Sequence, residues 1–419
     1  MRDFPNHMKY DIVVVGAGIT GLSSAYHLKK MDSSLKILVV DKAKTFSQGN
    51  TAKSAAAFRD FFTLRENQVM AQSSINFYKH LQNDMGVDLG MKFTGYLFLF
   101  DHDTDKEWVS RYPHSRIVDE DMSDLFNLNI DKDTQDVMKI GSIKSAVIDE
   151  NAGIIEPDLL SGWYYNKLLE MGVEFKFNTM VRRLVLAPME SLNYPGEPFN
   201  WQKSEIKYAE TDKGIIESDF YVLCTDVWTT SLLDPVGIDS HLRPKKRQIF
   251  QITSPGIQKL INKNIFNDSG VFPFTIFPTG VYMRPYPQAS SFWTSLADEL
   301  NRDFSFTENP EPEPDFYTYN IKPILDNYFP ASEDSRITSS WAGYYSYNTI
   351  DFMPYIFNDI NIIVVSGSTG GGIMKGDSIG RIVASRYDRK KTTTLYGGKK
   401  IVNTYNGKYR KTKIEDMVL

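Results

Sequence analysis

The chain has 419 residues, of which 42% are hydrophobic and 24% charged, with a net charge of −5 and a sequence pI near 5.8. That length allows two domains or one with large insertions, and the composition is that of an ordinary globule. An acidic balance gives no reason to expect nucleic acid. No run approaches the roughly 18 apolar residues of a membrane helix, and Met1-Arg-Asp-Phe-Pro-Asn-His7 lacks the apolar core of a signal peptide, so a cytoplasmic location is expected. Cys224 is the sole cysteine, which excludes an intrachain disulfide and any multi-cysteine metal site, and no metal is expected.

In chain order, the first segment with a clear pattern is Asp11-Ile-Val-Val-Val-Gly16-Ala-Gly18-Ile19-Thr20-Gly21. Its aliphatic run predicts a strand buried on both faces, followed by a tight turn and a helix with apolar residues at Leu22, Ala25 and Leu28. Gly16 lets the chain turn, Gly18 lets the backbone approach a pyrophosphate, and Gly21 lets the helix pack on the strand. Ile19 and Thr20 open the helix, whose free N–H groups favour an anion. A second strand, Ile37-Leu-Val-Val40, ends at Asp41, where a carboxylate can accept hydrogen bonds from ribose hydroxyls. Together they predict a dinucleotide site, with NAD and FAD undivided. From Lys42 a loop of small residues leads through Ser54-Ala55-Ala56-Ala57-Phe58-Arg59 into residues of helical character. Such a loop lets a flat ligand lie on the backbone, or serves as a surface turn.

Further on, apolar spacing predicts a helix over 68–85 and a strand over 95–100, then an inserted segment over 101–145. A helix ending near Met171-Gly172 precedes strands at 173–177 and around Val181, and Phe220-Tyr-Val-Leu-Cys224 reads as another buried strand. Residues 243–334 are aromatic and proline-rich, which predicts an antiparallel sheet roofing a substrate, with strands near 281–285 and 291–296. Glu308-Asn-Pro-Glu-Pro-Glu-Pro-Asp315 is expected to be extended, since prolines remove donors and fix the backbone. Asn361-Ile-Ile-Val-Val365, the turn through Gly370, Gly371 and Gly372, and a helix over 373–385 make a second anion-receiving terminus. The basic tail from Arg389 to Lys413 is expected to be a solvated surface.

Taken in order, these motifs resemble the FAD-dependent D-amino-acid oxidase superfamily, which includes glycine and sarcosine oxidases. The resemblance implies an α/β plus antiparallel-β fold. A Rossmann-type FAD-binding domain (glutathione-reductase-like, of the p-hydroxybenzoate-hydroxylase type) would span 1–93, 152–243 and 335–386. An antiparallel-sheet substrate domain at 94–151 and 244–334 would interleave with it, leaving 387–419 as a tail. The resemblance further implies that the backbone of Val181 faces the adenine and that Gly343 belongs to the cofactor site. The helix opened by Ile373 and Met374 would point its N-terminus at the flavin pyrimidine, stabilising the negative charge of the reduced ring. Where Asp226 stands, the family usually has glycine, which leaves that loop's geometry open. Arg243-Pro-Lys-Lys-Arg247, Trp341-Ala-Gly343-Tyr344, the run from Gly371 to Arg381, Leu395-Tyr-Gly-Gly398 and Val418-Leu419 look like segments of the archaeal dye-linked L-proline dehydrogenases within that superfamily. Relatives that hold flavin covalently use a cysteine or a histidine; Cys224 sits on a core strand and no histidine falls in 44–60, so FAD is expected to be held noncovalently.

The chemistry so implied is oxidation of an amino acid or secondary amine, with hydride passing from the substrate α-carbon to flavin N5. The substrate carboxylate needs a cation, and Arg59, Arg284 and Lys375 are the candidates. An arginine grips a carboxylate with two parallel hydrogen bonds, and family members place one at the position of Arg59 on the substrate side. Strict register puts Met374, not Lys375, where sarcosine oxidases carry a carboxylate-binding lysine. Tyr282 and Arg284 would share one face of a strand, and Tyr282, Tyr344 and Tyr345 either wall the site or are ordinary core tyrosines. No general base stands out. The expected reaction takes L-proline to 1-pyrroline-5-carboxylate with electrons passing to a dye or cellular carrier. A sarcosine-, glycine- or D-amino-acid-type oxidase, a FAD-carrying subunit without catalysis and an NAD-dependent dehydrogenase remain open. A homodimer is one assembly the resemblance allows.

Overall fold

The computed structural model describes residues 9–263, 265–297, 303–304, 306–403 and 414; Val418-Leu419 and much of the basic tail lie outside them. β1 (Tyr10–Val15) pairs in parallel with β2 (Ile37–Val40) and with β11 (Gly214–Leu223). The aliphatic side chains of β1, β2 and the paired end of β11 (Val222 and Leu223) are buried on both faces, as strands in the middle of a covered parallel sheet must be. β18 (Ile362–Ser366) extends the sheet beyond β11 and β8 (Glu174–Lys176) beyond β2, both in parallel. β17 (Tyr355–Asp359) closes one edge in antiparallel sense, while β9 (Val181–Pro188) and β10 (Ser204–Thr211) form an antiparallel ribbon on β11.

Helices α1 (Ile19–Met31), α2 (Arg65–Asn83), α5 (Pro157–Glu170) and α10 (Gly372–Tyr387) supply Leu22, Ile75, Leu160 and Ile382 to the core on one face of this sheet. α1 and α10 cross closely at Gly380, where a Cβ would lie 2.5 Å from the Ser23 carbonyl oxygen. Beside that crossing, buried His27 Nε2 lies 2.7 Å from buried Asp377.

The second sheet has the order β16-β12-β15-β14-β13-β4-β6-β5. Its strands are β4 (Tyr96–Phe100), β5 (Ser115–Ile117), β6 (Ser145–Asp149), β12 (Leu242–Thr253), β13 (Phe274–Ile276), β14 (Tyr282–Tyr286), β15 (Ser291–Ser295) and β16 (Arg336–Asn348). Its pairs are antiparallel except β13 with β4, which run parallel. The short helices α3 (Lys106–Val109) and α4 (Lys132–Met138) fill the inserted segment; α6 (Thr229–Leu233) follows β11, and α7 (Pro255–Leu260), α8 (Pro314–Phe316) and α9 (Lys322–Tyr328) pack around the roof. A hairpin of β19 (Thr392–Thr394) and β20 (Lys400–Val402) follows α10.

Two local expectations change. The stretch after Ser54 is not helical: Ala56 turns at φ 49, and Ala57–Phe58 form β3, paired with β7 (Gly153–Ile154). The proline-rich segment leaves the extended state at Pro314, which opens α8 because a proline's missing N–H costs nothing in a first helical turn.

Candidate active site

A cavity of about 760 Å³ opens where β1, β2, β11 and β18 end, lined by Gly16, Asp41, Cys224 and Ser366 among others. The carboxyl ends of parallel strands are where such sheets receive ligands. Gly16 has φ 105, and a Cβ there would sit 2.4 Å from the Cys224 carbonyl oxygen. A Cβ on Gly21 would fall 1.9 Å from the Gly16 carbonyl oxygen, so Gly21 lines no cavity but lets α1 close onto the turn. Gly18, Ile19 and Thr20 line the cavity. α10, after Gly371, has no side-chain cap; at α1, after Gly18, the Ile19 amide donates to Thr51 Oγ1 at 3.2 Å, and the amides that follow it in the first turn have no partner earlier in the helix. Together with the strand-end position and the glycines of the turn, those helix starts fit a dinucleotide pyrophosphate.

Asp41 is held by the amides of Ala17, 2.6 Å from Oδ2, and Ala43, 2.8 Å from Oδ1, with lone pairs left for ribose hydroxyls. Lys42, Ser54, Ala55, Val181, Gly343, Gly370, Gly372 and Ile373 line the same cavity. Asp226, at the position where the resemblance implies glycine, has a glycine-like φ of 49, a region aspartate tolerates. It accepts a 2.6 Å hydrogen bond from Asn50 Nδ2, and burial pushes its carboxyl pKa up. Across the mouth run residues 306–309: Glu308 pairs with Lys42 and accepts from Trp228 Nε1 at 2.8 Å, and the Thr307 amide donates to the Tyr344 hydroxyl at 2.8 Å.

A smaller inner chamber of about 80 Å³ shares Ser54, Ala55, Tyr282, Tyr345, Gly370 and Ile373 with this cavity. Ala56, Gly371 and Met374 line the chamber alone, as do Arg59 and Lys375. Both cations are buried and lie against one ring, the Arg59 guanidinium 4.3 Å and the Lys375 ammonium 4.5 Å from the centre of Phe62. Tyr96, Tyr282 and Phe274 supply aromatic walls. Burial raises the Tyr96, Tyr282 and Tyr345 hydroxyls, which keeps them protonated and able to donate.

Two expected residues fall elsewhere. Arg284 lines neither cavity; fully buried, it donates to the Pro285 carbonyl at 3.0 Å, pairs with Glu156 at 3.5 Å and stacks 4.2 Å from the Trp293 ring. Tyr344 lines only the larger cavity, its hydroxyl engaged by Thr307. Unforeseen lining residues include Asn50, Phe62, Tyr96, Trp228 and Glu308. Of these five, Tyr96 lies on the strand expected over 95–100.

The chain belongs to the DAO family of FAD dependent oxidoreductases, whose model matches residues 11–386. It is therefore a flavoprotein oxidoreductase with FAD as cofactor, and the glycine turn, the helix starts and Asp41 fit that group. Among its relatives, FAD-dependent oxidoreductase domain-containing protein 1 of Xenopus laevis is 26% identical over 89% of this chain and 78% of its own. The crystal structure of L-proline dehydrogenase from P. horikoshii superposes with TM-score 0.69 at 20% identity, covering 92% of this chain and 94% of that one. Glycine oxidase from Geobacillus kaustophilus does so with TM-score 0.66 at 16% identity, over 92% and 96%. No helix among the described residues is long and apolar enough to cross a membrane.

Proposed function

We propose that this enzyme oxidises an amino acid or secondary amine bound in the inner chamber, with L-proline as the preferred substrate and 1-pyrroline-5-carboxylate as its product. The observation that carries this reading is the pair of buried cations, Arg59 and Lys375, in a small aromatic chamber that opens onto the dinucleotide cavity. Arg59 grips the substrate carboxylate; Tyr96, Tyr282 and Tyr345 exclude water and orient the ring. FAD, held noncovalently, supplies the acceptor for the hydride. Asp41, Val181 and the α1 terminus would hold its adenosine and pyrophosphate, and Gly343, Gly370 and the α10 terminus would face its flavin. In this reading residues 1–93, 152–243 and 335–386 form the cofactor domain, from which β16 crosses into the roof sheet, and 94–151 with 244–334 form the substrate domain. The likeness in fold to a proline dehydrogenase supports a dye or cellular carrier as electron acceptor rather than oxygen.

Anaerobic mixing of the purified yellow protein with a panel of amino acids tests the reading. Bleaching of the flavin by proline is the expected result, and no bleaching by any amine would leave a FAD-carrying subunit without catalysis. Rapid peroxide formation in air would move the protein to the oxidases. Colour that stays with acid-precipitated protein would overturn noncovalent binding.

A further inference from the structure

Next to Arg59 in the chain, two acidic residues converge through Asn151. Asp60 follows Arg59 directly, and its Oδ2 accepts from Asn151 Nδ2 at 2.8 Å, lies 3.1 Å from His114 Nδ1 and accepts from Gln72 Nε2 at 3.3 Å. Asp149 ends β6 and is fully buried; its Oδ1 accepts from the Asn151 amide at 3.3 Å, whereas its Oδ2 meets no hydrogen-bond partner among the described residues. Asn151 thus bridges the two carboxyl groups, its side chain on one and its backbone on the other. The Asp60 amide also faces the Asp149 carboxyl.

A negative charge on Asp60 disfavours ionisation of a second, buried carboxyl beside it. Burial, then the charge of Asp60, pushes the Asp149 carboxyl up to about 8 against the opposing pull of Arg59. Besides Arg59 and Asp60, the titratable groups around the pair are His114, at Asp60, and Tyr96, which pairs with Asp149 across β4 and β6 and whose hydroxyl stays protonated.

We propose that Asp149 is a positioning residue that sets the grip of Arg59, whose guanidinium also donates to the Phe61 carbonyl: protonated, Asp149 adds no competing charge, and ionised, it competes with the substrate carboxylate for the guanidinium. This rests on the reading of Arg59 as carboxylate anchor. Neither aspartate lines the chamber, so the effect acts through Arg59 and appears in substrate affinity, with the bond-breaking step untouched.

The test uses the FAD-loaded protein and tetrahydrofuran-2-carboxylate, which has the shape and carboxylate of proline but no amine to oxidise. Binding is followed by the shift in flavin absorbance from pH 6 to 9.5. In the wild type, affinity should fall as pH rises through 8, by roughly tenfold, the equivalent of about one pKa unit of coupling. Asp149→Asn should flatten that fall. Asp60→Asn should move its midpoint to lower pH, because the charge that raises Asp149 is gone, so a poorly folding Asp149→Asn leaves a second handle. A wild-type profile flat above pH 7, or an Asp149→Asn profile that keeps the wild-type fall, overturns the proposal. Arg59→Met separates the two readings: normal probe binding there removes the anchor itself. Lost binding in Arg59→Met beside an unchanged Asp149→Asn profile removes only the role of Asp149.

Discussion

The two cavities meet at Ser54, Ala55 and Gly370, yet they are made of different material. The larger is built on strand ends, glycines and helix N-termini, so the donors around its glycine turn are mostly backbone groups that no rotamer change can move, while side chains such as Lys42, Arg247 and Trp228 line the rest. The smaller is shaped by side chains: two cations, several aromatic rings and the hydroxyls of buried tyrosines. A site made of backbone is broken by adding atoms, whereas a site made of side chains is retuned by exchanging them.

The hardest test of that difference is Gly21→Ala. Its methyl would sit 1.9 Å from the Gly16 carbonyl oxygen, so α1 must move off the turn. We expect destabilisation on the order of 3–5 kcal/mol with loss of bound FAD, read from a thermal melt and the flavin absorbance of the purified protein. An alanine variant that keeps stoichiometric FAD and its melting temperature would refute the packing argument.

Arg59→Met exchanges one chamber side chain and should spare the cradle. Loss of a charged partner at a desolvated site costs on the order of 2–5 kcal/mol, a factor of roughly 30 to several thousand in kcat/KM, expressed mainly as raised KM. Full FAD content alongside that loss keeps the two cavities separate, and a colourless protein would join them.

Arg284→Met should behave oppositely. Removing a buried guanidinium that ties carbonyl groups and Glu156 together should cost about 2–4 kcal/mol of stability, with KM unchanged in what folds. If Arg284→Met loses proline binding while Arg59→Met keeps it, the anchor is Arg284.

The smallest effect concerns the segment over the cavity mouth. Lys42 and Glu308 are partly exposed, so their pairing is worth about 0.2–1 kcal/mol. Glu308→Gln should therefore raise the FAD dissociation constant by no more than roughly fivefold, and only at low ionic strength. A salt-independent change would show that Glu308 acts through Trp228 instead.

How legible these regions are in the sequence follows the same division. The unit from β1 to Asp41 is local: buried aliphatics, three glycines at fixed spacing and a terminal acid state their geometry within 31 residues, from Asp11 to Asp41. Arg59 and Lys375 could be nominated because each adjoins such a motif. Arg284 could not be judged, since the partner that pulls it from the chamber, Glu156, is 128 residues away. Proline content marks 308–313 as extended but cannot say that Glu308 meets Lys42, 266 residues earlier. Asp149 carries no local signal at all; its meaning arises only where the fold ties it through Asn151 to Asp60, the neighbour of Arg59.

The order of the strands carries a consequence in time. The phosphate motif is complete by residue 41, but the strand that supports Gly16 ends at 223, and α10 begins only at 372. A chain emerging from the ribosome would thus hold the recognisable half of a flavin site for most of its synthesis with nothing to complete it. Cofactor capture is expected to be a late event, coupled to the closing of long-range parallel pairs that form slowly. A truncation ending near residue 350 should carry no flavin although every residue of the glycine motif is present.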